Sequence, residues 1–131
     1  MFDPRLRKTF DEEFETALAA LPAAAQRLLE EVAILVEDYP SEEVLAEMGA
    51  RRDELCGLYT GTPTTEHSVD LTGEPSDVIH IYREGLLALA RTRGGRIDAA
   101  SLREEIRITL LHELAHRHGF DEDQLDELGY S

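Results

Sequence analysis

The chain has 131 residues, the size of one domain, and we expect residues 1–131 to form a single folding unit. Its 28 acidic and 13 basic residues give a net charge of −15, which argues against nucleic acid or an anionic membrane as a partner. No apolar stretch reaches the roughly 18 residues that a membrane-spanning helix needs.

Two features bear on the compartment. The charged N-terminus lacks the apolar segment of a signal peptide, so we expect a cytoplasmic protein. Cys56 is the single cysteine, which excludes an internal disulfide and fits a reducing environment. Because no nucleophile signature surrounds Cys56, we expect it to be an ordinary packed thiol.

The first fifty residues are predicted to be mainly helical. Residues 10–21 carry apolar side chains at helical spacing, and a second short helix is expected over residues 22–29. The β-branched segment 32–36 predicts a strand. A third helix is expected to begin after Ser41, its N-cap, and to end at Gly49.

The middle of the chain is predicted to supply the rest of a small sheet. Residues 55–60, 68–71 and 78–82 are read as strands, and residues 84–93 as a helix. The first two strands are candidates for an exposed edge that an extended peptide could pair with. Asp77 is expected to be a solvated surface charge.

The longest predicted element is a helix that begins after the N-cap Asp98 and runs through His118 to a stop at Gly119. Its apolar stripe consists of Leu102, Ile106, Leu110 and Leu114. A short acidic segment, residues 121–128, is expected to form a last turn or two. This order of elements predicts an α+β fold in which a small sheet packs against the long helix.

The long helix carries the segment His112-Glu113-Leu114-Ala115-His116. Side chains four residues apart lie on one face of a helix, so both imidazoles can reach one zinc ion at about 2.0–2.1 Å. Glu113 lies about 100° around the helix, where it can activate a zinc-bound water as general base. The motif predicts His112 and His116 as zinc ligands and Glu113 as the catalytic residue.

A third zinc ligand is expected from the acidic run that follows Gly119. The spacing favours Glu122, and Asp121 and Asp123 are alternatives one residue away.

The remaining histidines are not expected to bind the metal. His118 is six residues from His112 and points to another helix face, and His67 and His80 are expected to be isolated polar residues. Tyr130 could donate a hydrogen bond to an oxyanion, but packing of its ring against the helix end is favoured.

The sequence around the motif resembles the small bacterial zincin-like metallopeptidases, also called minimal zincins. The strongest likeness covers residues 109–130, and further likenesses occur at Val36-Glu37-Asp38, Gly57-Leu58-Tyr59 and residues 79–83, so that nearly the whole chain is included. The resemblance implies a compact α+β zincin fold, zinc as cofactor, and peptidase chemistry on a peptide or protein substrate. The chain departs from the family pattern at His118, where an aromatic is usual, and at Glu122, which is often Asp.

A second function is compatible with the same motif, namely a non-catalytic zinc-binding regulatory or interaction module. A structural zinc site is closed by four protein ligands, whereas a catalytic site keeps one position for water. The sequence offers three good ligands, which favours the catalytic site. It does not indicate an oligomeric state.

Overall fold

The computed structural model describes residues 2–61 and 77–118, apart from the side chains of the last two. The elements in these ranges are α1 (Pro4–Ala19), α2 (Ala23–Leu29), β1 (Ala33–Glu37), α3 (Glu42–Met48), β2 (Gly57–Thr60), β3 (Val78–Tyr82), α4 (Arg83–Ala90) and α5 (Ala99–His118). They confirm the predicted α+β class and the long helix that carries the motif. In this part of the chain, no helix is both long and apolar enough to cross a membrane.

Two helix bounds differ from the sequence prediction by three residues or more. Helix α1 begins at Pro4 instead of residue 10, because Asp3 caps its first turn by accepting a hydrogen bond from the Arg5 amide at 2.9 Å. Helix α4 ends at Ala90 instead of Arg93, because the extended backbone of Arg91 forms a bridge to Ile97. The predicted strand at 68–71 and the acidic segment from residue 121 lie outside the described residues.

The three strands form one mixed sheet in the order β1-β3-β2. Strand β1 runs parallel to the central strand β3, and β2 runs antiparallel to it, with Gly57 opposite Ile81. Among the described strands, β2 is therefore an edge strand. Ile79 and Ile81 of β3 are fully buried, so this face of the sheet packs on the helices.

Helix α5 is held by its buried apolar face. Its N-cap is Asp98, whose carboxylate accepts a hydrogen bond from the Ser101 amide at 3.2 Å. The fully buried side chains of the helix are Leu102, Ile106, Leu110, Leu111 and Leu114. Each contributes roughly 1.5–3 kcal/mol to stability, and together they fix the rotation of the helix, so the motif residues cannot turn freely towards or away from the sheet.

Helix α4 approaches the chain that leads into β2 so closely that only glycine fits at position 85. A Cβ atom at Gly85 would overlap the carbonyl oxygen of Leu55 and lie 2.8 Å from its carbonyl carbon. The backbone amide of Tyr82 donates to the carbonyl of Cys56 at 2.9 Å in the same region. These contacts fix the position at which β2 begins.

An ion-pair network ties α1 to the ends of β1 and β3. Arg83 donates to Asp38 at 2.8 Å and to Asp11 at 3.0 Å, and Arg7 lies 2.6 Å from the other Asp38 oxygen. The Arg7 hydrogen bond lowers the pKa of Asp38 below its ordinary value of 3.8, and Arg83 acts in the same direction, against the opposing effect of burial.

The network predicts a stability loss in Asp38→Asn. Arg83 is only 12% exposed, so its guanidinium would lose a partner in a largely dry place, and we expect a loss of about 1–3 kcal/mol, between the values for exposed and buried pairs. Urea denaturation would measure it. Because the pKa of Asp38 is lowered on folding, its contribution is present above pH 3.8 and is lost as the pH falls further, so the two proteins should converge in acid.

The matched control is Asp53→Asn. Asp53 and its partner Arg51 are both exposed and 3.8 Å apart, so this change should alter stability by less than about 0.5 kcal/mol. An equal loss in the two variants would contradict the prediction.

Candidate metal centre

His112, Glu113 and His116 lie together near the end of α5. One potential ligand atom from each side chain lies within 4.8 Å of the other two. The two imidazole rings have centroids 4.5 Å apart and an interplanar angle of 63°. Among the residues that the structure describes, they are the one group of three or more His, Cys, Asp or Glu side chains that could hold a metal ion.

The three side chains differ in their exposure to solvent. Both histidines are exposed, and the side chain of His116 is 54% accessible, whereas that of Glu113 is only 9% accessible. The imidazoles can therefore receive an ion and a further ligand from solvent. Glu113 points towards the sheet and has little freedom to move.

Glu113 and His116 contact each other directly. Oε1 of Glu113 lies 3.2 Å from Nδ1 of His116. If Nδ1 carries the proton, it donates a hydrogen bond to this carboxylate, and the lone pair of Nε2 is left for a metal ion. Carboxylates commonly fix the tautomer of metal-binding histidines in this way.

Gly57 allows β2 to approach α5 beside Glu113. A Cβ atom at Gly57 would lie 2.7 Å from Cγ2 of Thr109, 3.1 Å from the carbonyl oxygen of His80 and 3.4 Å from Cγ of Glu113. The missing side chain thus places the edge strand directly against the Glu113 stem. Sequence reasoning assigned Gly57 no role in the site, although a glycine inside a predicted strand is a sign of close backbone approach.

Burial and carboxylates near the centre raise the pKa of two neighbouring groups, the half-buried Cys56 and the buried Tyr82. Burial raises the pKa of the Cys56 thiol to about 11, and Glu105 and Glu113 add to this effect. Burial likewise raises the pKa of Tyr82 to about 12, with further contributions from Glu37 and Glu113. Cys56 is half-buried and packs against the apolar core, as the sequence predicted, and its raised pKa disfavours the thiolate at neutral pH.

His80 and Asp77 differ from their predicted surroundings. His80 lies outside the three-residue cluster, but it is not isolated, because its Nδ1 is 2.8 Å from Glu37 and its Nε2 is 3.3 Å from the Thr60 hydroxyl. The prediction that Asp77 is a solvated charge is wrong, since it is 2% exposed and accepts a hydrogen bond from Tyr59 at 3.0 Å. Tyr59 supplies the polar partner that allows Asp77 to be buried, and the sequence around Asp77 does not indicate this partner.

Several predicted site residues cannot be placed. Glu122 and its alternatives Asp121 and Asp123, as well as Tyr130 and His67, lie outside the described residues.

Comparison with known proteins identifies one family. A family model described as a zincin-like metallopeptidase matches residues 29–130, which leaves out helix α1 and includes the sheet, the motif helix and the acidic segment after it. No curated protein matches the chain.

The close approach at Gly57 predicts that Gly57→Ala is destabilising. The added methyl group would press on Thr109 and the His80 carbonyl, so we expect a loss of about 1–3 kcal/mol, as for other overpacked sites. Adding Thr109→Ser removes Cγ2 and should restore part of the loss. Urea denaturation of both single variants and the double variant would measure this coupling, and strictly additive losses would contradict it.

Proposed function

This chain belongs to the zincin-like metallopeptidase family, and we propose that it is a zinc-dependent peptidase whose metal is held by His112 and His116. The observation that carries the proposal is the His112–Glu113–His116 cluster, with its ligand atoms within 4.8 Å of one another on one helix. Peptides or proteins are the substrates that such a family implies.

The residues present fit zinc. Two imidazoles one helical turn apart, with a carboxylate as third ligand, form a typical donor set for catalytic zinc. We propose Glu122 as this third ligand, with Asp121 and Asp123 as the alternatives. The exposure of both histidines leaves room for a substrate at the remaining coordination position.

Glu113 is proposed as the general base. Bound zinc would supply the Lewis acid that polarises the scissile carbonyl and acidifies a water molecule. The Glu113 carboxylate accepts the proton of the attacking water and then delivers it to the leaving amine. Its 9% exposure favours this role, because a buried carboxylate beside β2 is held in one place and has few competing water molecules.

The edge of β2 is proposed to bind the substrate. In the described sheet, Gly57–Thr60 pairs with β3 on one side, and a peptide in extended conformation would pair its backbone with the other side. The close approach of Gly57 to Glu113 would bring the scissile bond of such a peptide near the general base.

One observation favours a second function, a zinc-binding module without turnover. Glu113 lies 3.2 Å from His116. If this contact persists in the metal-bound protein, the carboxylate orients a ligand instead of accepting a proton.

Variants of the motif distinguish the two functions. The native protein should carry about one zinc per chain. Glu113→Gln should retain zinc but lose hydrolysis by about 10²–10⁴-fold, since an amide cannot accept the proton. His112→Ala should lose metal and activity together. Elemental analysis and digestion of a peptide library would measure both properties.

The chelator-treated native protein serves as the control for contaminating proteases. Cleavage that persists in Glu113→Gln would refute the general-base role. Bound zinc without cleavage by any form would favour the non-catalytic module.

The third ligand has its own test. Glu122→Ala should reduce zinc affinity by more than the roughly 10–100-fold that loss of an outer-shell partner causes. Asp126→Ala, which also removes a carboxylate four residues further along, should leave zinc affinity unaltered. Competition with a fluorescent chelator would measure both, and equal affinities would place the ligand elsewhere, at Asp121 or Asp123.

A further inference from the structure

Three polar side chains form a hydrogen-bonded row across the sheet, outside the metal centre. Nε2 of His80 on β3 lies 3.3 Å from the hydroxyl oxygen of Thr60 on β2, and Nδ1 of the same ring lies 2.8 Å from Oε1 of Glu37 on β1. Hydroxyl, imidazole and carboxylate occur in this order in the Ser-His-Asp triad, where they activate the hydroxyl as a nucleophile. The hydrogen bonds of such triads are often longer than about 3.2 Å when no substrate is bound.

The row lies on the face of the sheet that is turned away from the helices. Side chains alternate between the two faces of a strand. Ile79 and Ile81, the neighbours of His80, are fully buried in the core with the leucines of α5. His80 therefore projects from the other face, and the strand registers place Thr60 and Glu37 on that same face. The sheet thus separates this row from the helix that carries the metal centre.

The imidazole of His80 is held in a fixed orientation. Besides its hydrogen bond to Glu37, the ring stacks on that of Tyr82, with centroids 6.2 Å apart and an interplanar angle of 15°. Tyr82 itself is 1% exposed and gives the stack a firm support. When Nδ1 donates its proton to Glu37, the lone pair of Nε2 is directed to the Thr60 hydroxyl and can accept its proton. An oriented base beside a hydroxyl is the structural requirement for nucleophilic catalysis.

The hydroxyl group of this row is accessible at the end of β2. Thr60 is exposed, whereas the side chain of His80 is only 21% accessible. Gly61, the next residue, lies in a bend and has a φ of 144°, a value that residues with a side chain rarely adopt. The backbone therefore turns directly after Thr60, and a sharp turn next to the nucleophile exposes its hydroxyl in many hydrolases as well.

Two leucines beside the row indicate the class of substrate. Leu35 on β1 and Leu58 on β2 lie directly opposite His80, and Leu35 is 48% exposed. Because the Cβ atoms of opposed residues are only about 4.5–5.5 Å apart, a short aliphatic group can lie on these leucines while its carbonyl carbon reaches Thr60.

We propose that Thr60, His80 and Glu37 form a second reactive centre, which hydrolyses carboxylic esters with short aliphatic acyl groups. Oγ1 of Thr60 adds to the carbonyl carbon of the ester while its proton passes to Nε2 of His80. The bond to the leaving alcohol then breaks, and the alcohol oxygen takes this proton. Water adds to the acyl-threonine and gives a proton to Nε2, and cleavage of the acyl–threonine bond returns that proton to Oγ1. Thr60 and His80 are thus the catalytic residues, and Glu37 is a positioning residue.

The test measures hydrolysis of p-nitrophenyl butyrate by chelator-treated protein, so that zinc does not contribute. The native protein should release nitrophenolate, and mass spectrometry after acid quenching should find the butyryl group on Thr60. Thr60→Val, which replaces the hydroxyl by a methyl group, should lose both. His80→Gln should lower the rate of acylation by roughly 10²–10⁴-fold.

Two variants serve as matched controls. Thr60→Ser keeps a hydroxyl group and should keep the hydrolysis. Thr16→Val makes the valine change at an exposed threonine of α1, whose hydroxyl donates to the Glu12 carbonyl at 3.1 Å, and should leave the rate unaltered. Urea denaturation of each variant would show whether it is folded.

The role of Glu37 is tested by Glu37→Gln. An amide holds the imidazole less well in the required tautomer, so kcat should fall by about 10-fold or more while KM stays the same. If the row only joined the strands, this variant would lose stability in urea without a fall in kcat.

Equal hydrolysis by the native protein and Thr60→Val would overturn the proposal. A butyryl group found only elsewhere, for example on Lys8, or the absence of hydrolysis by the native protein, would do the same. Should Thr60→Val fail to fold, the position of the butyryl group and the rate of His80→Gln still decide. None of these outcomes bears on the zinc peptidase, because the metal has been removed.

Discussion

The contact between β2 and α5 at Gly57 is the constraint on which the arrangement of the centre depends. The helix is fixed by its buried leucines and isoleucine, and the strand is fixed by pairing with β3 and by the chain that passes Gly85. Where these two elements meet, there is no space for a side chain at position 57, and Glu113 lies against the strand. A carboxylate that would otherwise be solvated on a helix surface is thereby held beside an edge strand of the described sheet.

The described part of the candidate metal centre is open to solvent. Both histidines are exposed there, so a metal ion could reach them directly. Of the three described residues of the centre, Glu113 is the buried one, and the neighbouring leucines of α5 belong to the same apolar cluster as Phe10 and Phe14. The packing behind the centre thus includes helix α1, which lies outside the range that the family model matches.

The sequence predicted those parts of the fold that depend on local patterns. The 3.6-residue periodicity of Leu102, Ile106, Leu110 and Leu114 identified α5 and its buried face, and Ser41 and Gly49 marked both ends of α3, since capping is a local interaction. The strand over 78–82 was predicted with the bounds that it has in the structure, because its β-branched and aromatic residues are also a local pattern. The motif spacing also predicted that His112, Glu113 and His116 lie close together. The relative positions of residues on one helix can be predicted without knowledge of tertiary contacts.

Features that depend on distant partners were missed. Asp77 is buried because Tyr59, eighteen residues earlier, reaches it with a hydroxyl group. Gly57 matters because Thr109 and Glu113 lie opposite it, which only the packing of the helix on the sheet determines. Helix α4 ends early because Arg91 pairs with Ile97, a contact that helix propensity does not include.

The parallel pairing of β1 with β3 has a consequence for the order in which the molecule can assemble. Ala33 pairs with Val78, so 45 residues must close into a loop before the first bond of this ladder forms. Such a non-local step is entropically unfavourable and slows folding. On the ribosome, β1 cannot pair until β3 has been synthesised. Glu113 reaches its place beside Gly57 once α5 has packed on helices α1 and α4 and on this sheet.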